Sequence, residues 1–420
     1  MKKQLRLAAL FLVFAGGVRL SAQSYRNFRE EFDDIRERAR LRLGPLRVIP
    51  AFRLTEVGRD SNVYFREEGG EVVPDFTATL SPEARGYWLL GNSVLLSVTE
   101  NPEFLFYAKE KALRAFSNSF SSGLRLLLLR RFSLSADYHV QSHVRRATSE
   151  LDRRIRDTAT GATAGFFFET PRGTAVGFTG SLEDFRYKDV AADGPYDAYS
   201  RALDRRETTA AFEVYYRVFS RSHFFATAGY ARYDFVFQEF LWRNGSSLEF
   251  SGGLRFPLLG RARGTISLGW KSFRPESSER KAFQGLVAAT DVTFRAGRIG
   301  LNLGYARDMV FSYIQSAYYY VEDRLRAGLS LYITPSFRID GSVQTGTMAY
   351  PEPQEVWDGT AYVVIDSRED NHRNFSVGPV LRVAGRVGLG LTYNFFRRTS
   401  NAPGFNVRRD FFGAFLTYEF

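Results

Sequence analysis

FFGAFLTYEF, residues 411–420, is the stretch on which the fold turns. In a strand of period two, Phe412, Ala414, Leu416, Tyr418 and Phe420 share one face, and Phe411, Gly413, Phe415, Thr417 and Glu419 share the other. One face is thus wholly apolar or aromatic, in a chain of polar average composition. Such a face needs a cover, and the cover has to be available along the rest of the chain too, because the same alternation recurs throughout.

Between residues 207 and 219, Ala210, Phe212, Val214, Tyr216 and Val218 alternate with Glu207, Thr209, Glu213 and Arg217. Phe132, Leu134, Ala136, Tyr138 and Val140 alternate with Ser133, Ser135, Asp137, His139 and Gln141, and Leu325, Ala327, Leu329 and Leu331 with Arg324, Arg326, Gly328 and Ser330. Strict alternation marks two-faced strands. Many of these segments run well beyond the ~5–6 residues of a globular strand and reach the ~9–11 that a tilted strand needs to cross a bilayer.

The pattern divides into 18 strands, near 47–57, 74–89, 92–107, 112–128, 131–147, 157–170, 173–188, 204–219, 222–239, 246–259, 261–274, 281–296, 298–315, 316–333, 336–349, 373–385, 387–399 and 407–420. Merging or splitting a weak segment, above all where residues 312–317 leave hardly any room for a loop, gives 16 or 20. Eight tight turns alternate with nine more polar connections, as a transmembrane antiparallel β-barrel requires if Phe420 lies at the periplasmic side. The fold class expected is therefore all-β. A soluble β-sandwich needs neither so many long two-faced strands nor so aromatic an outer face. Tyr87, Trp88, Trp242, Trp270, Tyr305 and Tyr393 are placed to form girdles at the membrane interfaces.

Ahead of the strands, Lys2, Lys3 and Arg6 precede an apolar run over residues 7–18, and Leu20, Ser21 and Ala22 before Gln23 have the form of a signal-peptidase site. That run is too short for a membrane-spanning helix, which takes ~20 apolar residues. The expected division is a signal peptide over 1–22, an N-terminal extension over 23–45 and a barrel over 46–420. Within the extension, Phe28, Phe32, Ile35 and Ala39 recur at helical spacing, so residues 25–43 read as an amphipathic helix that either plugs the lumen, meets a periplasmic partner or is a passive extension.

The net charge is +11, of which Lys2, Lys3, Arg6 and Arg19 supply four, a basic excess too diffuse to indicate nucleic acid. With no cysteine there is neither a disulfide framework nor a thiolate metal site. Of the four histidines, His139 and His143 share a strand face, but no further His or Cys completes a metal site, and no serine stands out as a nucleophile. No cofactor and no enzymatic activity are expected, with a membrane-embedded hydrolase a distant alternative. The small residues Gly388 and Gly390 read as lumen-facing positions of a strand rather than as a phosphate loop.

Residues 411–420, with Phe412, Leu416, Tyr418 and the terminal Phe420, resemble the C-terminal signal of bacterial outer-membrane proteins. That resemblance implies the outer membrane as location and the barrel assembly machinery as a partner. A second likeness lies in Arg47-Val48-Ile49-Pro50-Ala51-Phe52-Arg53-Leu54, then Asp60-Ser61-Asn62-Val63-Tyr64, then Asp75-Phe76-Thr77-Ala78-Thr79-Leu80-Ser81-Pro82. These resemble the opening of the putative β-barrel porin families, some of which accompany exopolysaccharide or exosortase systems, although Ser61 separates the acid from Asn62 here. The resemblance implies a channel or an export-associated barrel.

Turning the polar face inward lines the lumen with Arg53, Arg85, Arg125, Arg217, Arg255, Arg295, Glu322, Arg324, Arg326, Arg338, Asp340 and Arg382, among others of both signs. A basic ring favours anions or anionic sugars, whereas a self-neutralising network only solvates the wall. The expected function is passive passage of small hydrophilic solutes, with export of an envelope polysaccharide or its surface attachment as the alternative. Lipids of the outer membrane are the expected surroundings.

Overall fold

The computed structural model describes residues 27–39, 41–145, 150, 154–189, 200–219, 222–259, 261–314, 317–357 and 360–419. Residues 1–22, expected to be a signal peptide, and Tyr25 and Phe420 lie outside the described residues. A helix α1 (Phe28–Arg38) is followed by β1 (Leu41–Leu43), β2 (Leu46–Asp60), β3 (Asp75–Leu90), β4 (Val94–Tyr107), β5 (Ala115–Leu128), β6 (Phe132–Arg145) and β7 (Ile155–Glu169). Next come β8 (Ala175–Asp189), β9 (Arg205–Phe219), β10 (Ser222–Phe235), β11 (Gly245–Leu259), β12 (Ala262–Pro275), β13 (Phe283–Ala296) and β14 (Ile299–Phe311). The last are β15 (Tyr319–Tyr332), β16 (Phe337–Ala349), β17 (Gln354–Trp357), β18 (Tyr362–Ile365), β19 (Glu369–Val383), β20 (Val387–Ser400) and β21 (Val407–Glu419).

Eighteen of these form one closed antiparallel wall. β2 pairs with β3 on one side and with β21 on the other, so the first and last long strands meet. The short β1 extends the sheet along β2, and β17 with β18 makes a separate hairpin within one loop. Each of the 18 long segments expected from the alternation is a wall strand.

Burial follows the period of two. In β9, Arg205, Glu207, Thr209, Ala211, Glu213 and Tyr215 are buried, while Arg206, Thr208, Ala210 and Phe212 are exposed. The buried set is largely polar and looks into the barrel. The outward set is apolar: Phe178 and Phe250 are each 60% exposed. Leaving such a side chain in water forfeits about 1.5–3 kcal/mol, so the outer wall is stable only against lipid.

All eight tight turns lie at one end, together with the end of β21 and the start of β2. There Gly91 and Gly297 adopt φ of 58° and 54°, which glycine reaches without steric cost. The nine longer connections lie at the other end.

Three expectations are corrected. The helix stops at Arg38, because Ala39 is extended and Leu41–Leu43 doubles back around Gly44 to pair with residues 46–48. Strands β14 and β15 end and begin at Phe311 and Tyr319, leaving a seven-residue connection where scarcely any was expected. Tyr87 faces inward and Trp242 packs in a loop-end cluster, so neither belongs to an interfacial girdle, while Trp88, Trp270 and Tyr393 are exposed on the outer wall.

The two faces predict opposite responses to the same substitution at adjacent positions. Ile266→Arg, on the lipid face, should lower the unfolding free energy in phospholipid vesicles by about 2–4 kcal/mol if it lies near mid-bilayer. Ser267→Arg, facing inward, should leave the denaturant midpoint nearly unchanged. Equal losses would mean that the faces are assigned wrongly.

Candidate functional site: the lumen and its two mouths

Directly opposed residues in an antiparallel ladder share a face, so the register assigns every wall side chain. Arg53 lies opposite Ser81, Arg125 opposite Ser135, Arg217 opposite His223, and His223 opposite Arg255. Asp291 lies opposite Gly304, Gly304 opposite Arg326, and Ser330 opposite Asp340. Followed around the sheet, this places Arg53, Arg85, Arg125, Arg217, Arg255, Arg295, Glu322, Arg324, Arg326, Arg338, Asp340 and Arg382 on the inner face. Most of the arginines sit within a few residues of the turn end: Arg85, Arg125, Arg217, Arg255, Arg295, Arg338 and Arg382.

Carboxylates meet many of them. Arg53 and Arg85 both bind Glu83. Arg125 binds Asp137 at 2.7 Å, Arg338 binds Asp340 at 2.9 Å, and Arg326 binds Asp291 at 3.0 Å. Arg324 lies 3.8 Å from Glu322, and Arg217 lies 3.7 Å from Glu169. Arg295 instead stacks on Tyr332, at 4.4 Å from the ring centre. Each pair cancels most of its own field at a distance, so the lining is a mixed-charge polar wall with a residual basic bias rather than a bare cationic ring.

The turn-end mouth holds α1. Asn27 caps the helix by accepting from Arg29 and Glu30 N–H, and its Nδ2 donates to both oxygens of Glu169 at 3.0 and 2.8 Å. Phe28, Phe32 and Ile35 pack on Leu89, Leu95, Tyr87 and Leu127, all inward-facing residues of β3 to β5. Glu31 approaches Arg125 at 3.9 Å. The apolar helix stripe is therefore covered by the inside of the barrel.

The loop-end mouth is filled by chain. An aromatic cluster of Tyr233, Phe235, Phe273, Phe283, Phe311, Tyr318 and Tyr319 occupies its interior. Arg243, fully buried, donates to the carbonyls of Ala202, Ser312, Ile314 and Ala317 at 2.7–3.3 Å. Glu150 accepts from Ser312 Oγ at 2.6 Å and from Tyr313 N–H at 2.7 Å, while Arg398 donates to its carbonyl. Burial raises the Glu150 carboxyl above its ordinary value and draws Arg243 down to about 10. Segments from distant parts of the ring thus converge on the connection between β14 and β15. None of these loop residues carries a sequence signal that distinguishes it from an ordinary surface Glu or Arg.

The Asp60, Ser61 and Asn62 element occupies the seam between β2 and β21. Asp60 binds Arg409 at 2.7 Å, Ser61 exchanges hydrogen bonds with Asp410, and Asn62 Nδ2 donates to the Arg408 carbonyl at 3.1 Å. A β-bulge at Glu56, with φ of 52°, shifts the register just before it. At Gly58 any Cβ would overlap the backbone of Phe412 and Gly413, so the seam demands glycine. His139 and His143 face inward, with His143 Nε2 3.0 Å from Ser119 Oγ, and no group of three potential metal ligands occurs among the described residues.

Solved structures similar to this chain include a BenF-like porin from Pseudomonas fluorescens, at 12% identity and TM-score 0.49, covering 90% of this chain and 99% of that one. Pseudomonas aeruginosa OpdL matches at 10% identity and TM-score 0.49, with the same 90% and 99% coverage. The FrpB iron transporter from Neisseria meningitidis matches at 10% identity and TM-score 0.45 over 86% of this chain, which spans 63% of the transporter's length. No curated protein sequence matches. The family described as Putative beta-barrel porin 2 matches residues 41–420, the whole barrel, and the chain belongs to that outer-membrane porin family.

Proposed function

We propose that the protein sits in the outer membrane and passes small hydrophilic solutes by diffusion, with a mild preference for anions. The observation that supports this best is the inner wall: charged and hydroxyl side chains face inward around the ring, and carboxylates balance many of the arginines. Such a lining hydrates a polar solute without binding it tightly. In this reading the turn end is periplasmic, the loop end faces outward, lipid covers the outer wall, and β21 is the segment presented to the assembly machinery. The helix α1 is a partial plug of the periplasmic mouth.

Planar-bilayer recording tests the reading. The purified protein should show discrete ion conductance, and total silence at every voltage would sink it. Arg295→Gln with Arg382→Gln should move the reversal potential toward cations and Asp291→Asn toward anions. A charge ~10 Å from the ion path in water is worth ~0.4 kcal/mol, so removing one should change the partition of a given ion by about twofold and removing two by about fourfold, and less at high salt.

The plug is tested separately. Phe32→Asp puts a charge into the buried stripe of α1 and should release the helix, raising single-channel conductance while the barrel keeps its heat-modifiable gel mobility. Unchanged conductance would place α1 outside the ion path.

A further inference from the structure

We propose that the upper arms of β14 and β15 form a gate with two resting places: the mouth of the barrel, where they lie here, and the gap that their absence leaves in the wall. The proposal rests on the channel reading above and adds to it the element that opens and closes the outer end.

The wall is forked. β13 and β14 pair from Ala296 opposite Ile299 as far as Ala288 opposite Arg307, and there the ladder stops. Both strands continue. β13 runs on to Phe283, held by β12 through Phe273 opposite Phe283, and β14 runs on to Phe311, held by β15 through Phe311 opposite Tyr319. Over residues 283–287, β13 has a ladder on one side only.

Side-chain burial gives the direction in which β14 and β15 have left. Alternation assigns Met309, Phe311 and Tyr319 to the outer face, in line with exposed Leu301 and Leu303 on β14. Yet they are only 3–5% exposed. Phe311 lies 5.0 Å from Tyr233, 5.3 Å from Phe235 and 5.7 Å from Phe273, ring centre to ring centre, and Tyr319 lies 6.0 Å from Phe283. These partners line the inside of β10, β12 and β13. The arms have therefore swung inward about Ala288 and Arg307 and rest their backs on the inner wall.

A contact across the gap says the same. Lys281 N–H donates to Glu352 at 3.2 Å, Lys281 Nζ to the Pro351 carbonyl at 2.7 Å, and Arg280 binds Glu352 at 3.2 Å. These residues flank β13 and β16, between which an intact wall would hold β14 and β15. Three strand spacings of ~4.8 Å would separate their backbones by ~14 Å, beyond the reach of a backbone N–H to a glutamate carboxylate. The clasp closes the rim behind the displaced arms and must open for their return.

The second resting place follows from the register. Continuing the existing ladder sets Leu286 opposite Met309 and Gln284 opposite Phe311, so the unpaired edge of β13 is a template that β14 fits. Moving there exchanges the aromatic cluster and the Lys271–Asp308 pair, at 2.9 Å, for ladder hydrogen bonds and lipid contact. It also draws residues 312–314 and 317–318 away from Arg243 and Glu150, clearing the mouth.

Paired cysteines decide the matter without background, since the chain has none. Phe235→Cys with Phe311→Cys should cross-link the arms inward and lower conductance under oxidant. Leu286→Cys with Met309→Cys should cross-link them in the wall and raise conductance at least severalfold over the inward-locked protein, with reductant reversing both. Peptide mass spectrometry reads the disulfide, and gel mobility confirms folding, independently of current. Failure of the wall pair to form in folded protein overturns the movement. Formation of both pairs with equal currents overturns the gate, and formation of both with no current in any state overturns the channel reading and the gate with it. Should the inward pair not fold, Glu352→Ala, which removes the clasp, must raise wall-pair cross-linking; no increase counts against the proposal.

Discussion

Hydrocarbon offers no partner to a backbone N–H or C=O, and the whole architecture depends on the seam where β2 meets β21. An open sheet of these strands would leave two edges unsatisfied in lipid, at several kcal/mol for each group. Closure removes the two free edges, but it requires the first and last strands to meet in a fixed register. The bulge at Glu56, the glycine at Gly58 and the Asp60–Arg409 pair set that register, and Asn62 ties the first loop to the same strand. The residues that make the opening of the chain resemble its family are thus residues of closure, and they tell nothing about what crosses the barrel.

The inner face shows why the wall tolerates so many charges. Arg205 and Glu207 are each 1% exposed and 2.6 Å apart, and Lys271 lies 2.9 Å from Asp308. Removing one member of such a pair would strand the other in a poorly hydrated site, a larger loss than the pair's own net contribution. Pairing along the wall also leaves the arginines fixed in place as structural struts, so only a fraction of the formal positive charge is left to act on a passing ion.

Strand number and the two-faced character of each strand were legible because one physical demand, apolar side chains on one face and polar groups on the other, acts on every second residue for hundreds of residues. The same signal misled where apolar side chains found cover elsewhere. Met309, Phe311 and Tyr319 continue the alternation of a lipid-facing strand, yet they are covered by the aromatic interior of the mouth. Tyr87 and Trp242 misled for the same reason, one covered by α1 and the other by the loops. Period reveals that a face is buried and is silent about what buries it. Glu150 and Arg243 were illegible for a simpler reason: their roles come from contacts across 162 and up to 75 residues, which leave no local pattern.

The seam also has a temporal meaning. Asp60 and Arg409 are 349 residues apart along the chain, so this contact is among the last that the order of synthesis permits. Local hairpins form quickly, whereas a pairing of such long range waits on every strand between. A chain that has lost β21 therefore keeps every hairpin but the last and has no way to hide its edges. Arrival of β21 is thus checked by geometry itself, since without it two strand edges stay open to pairing with any other chain.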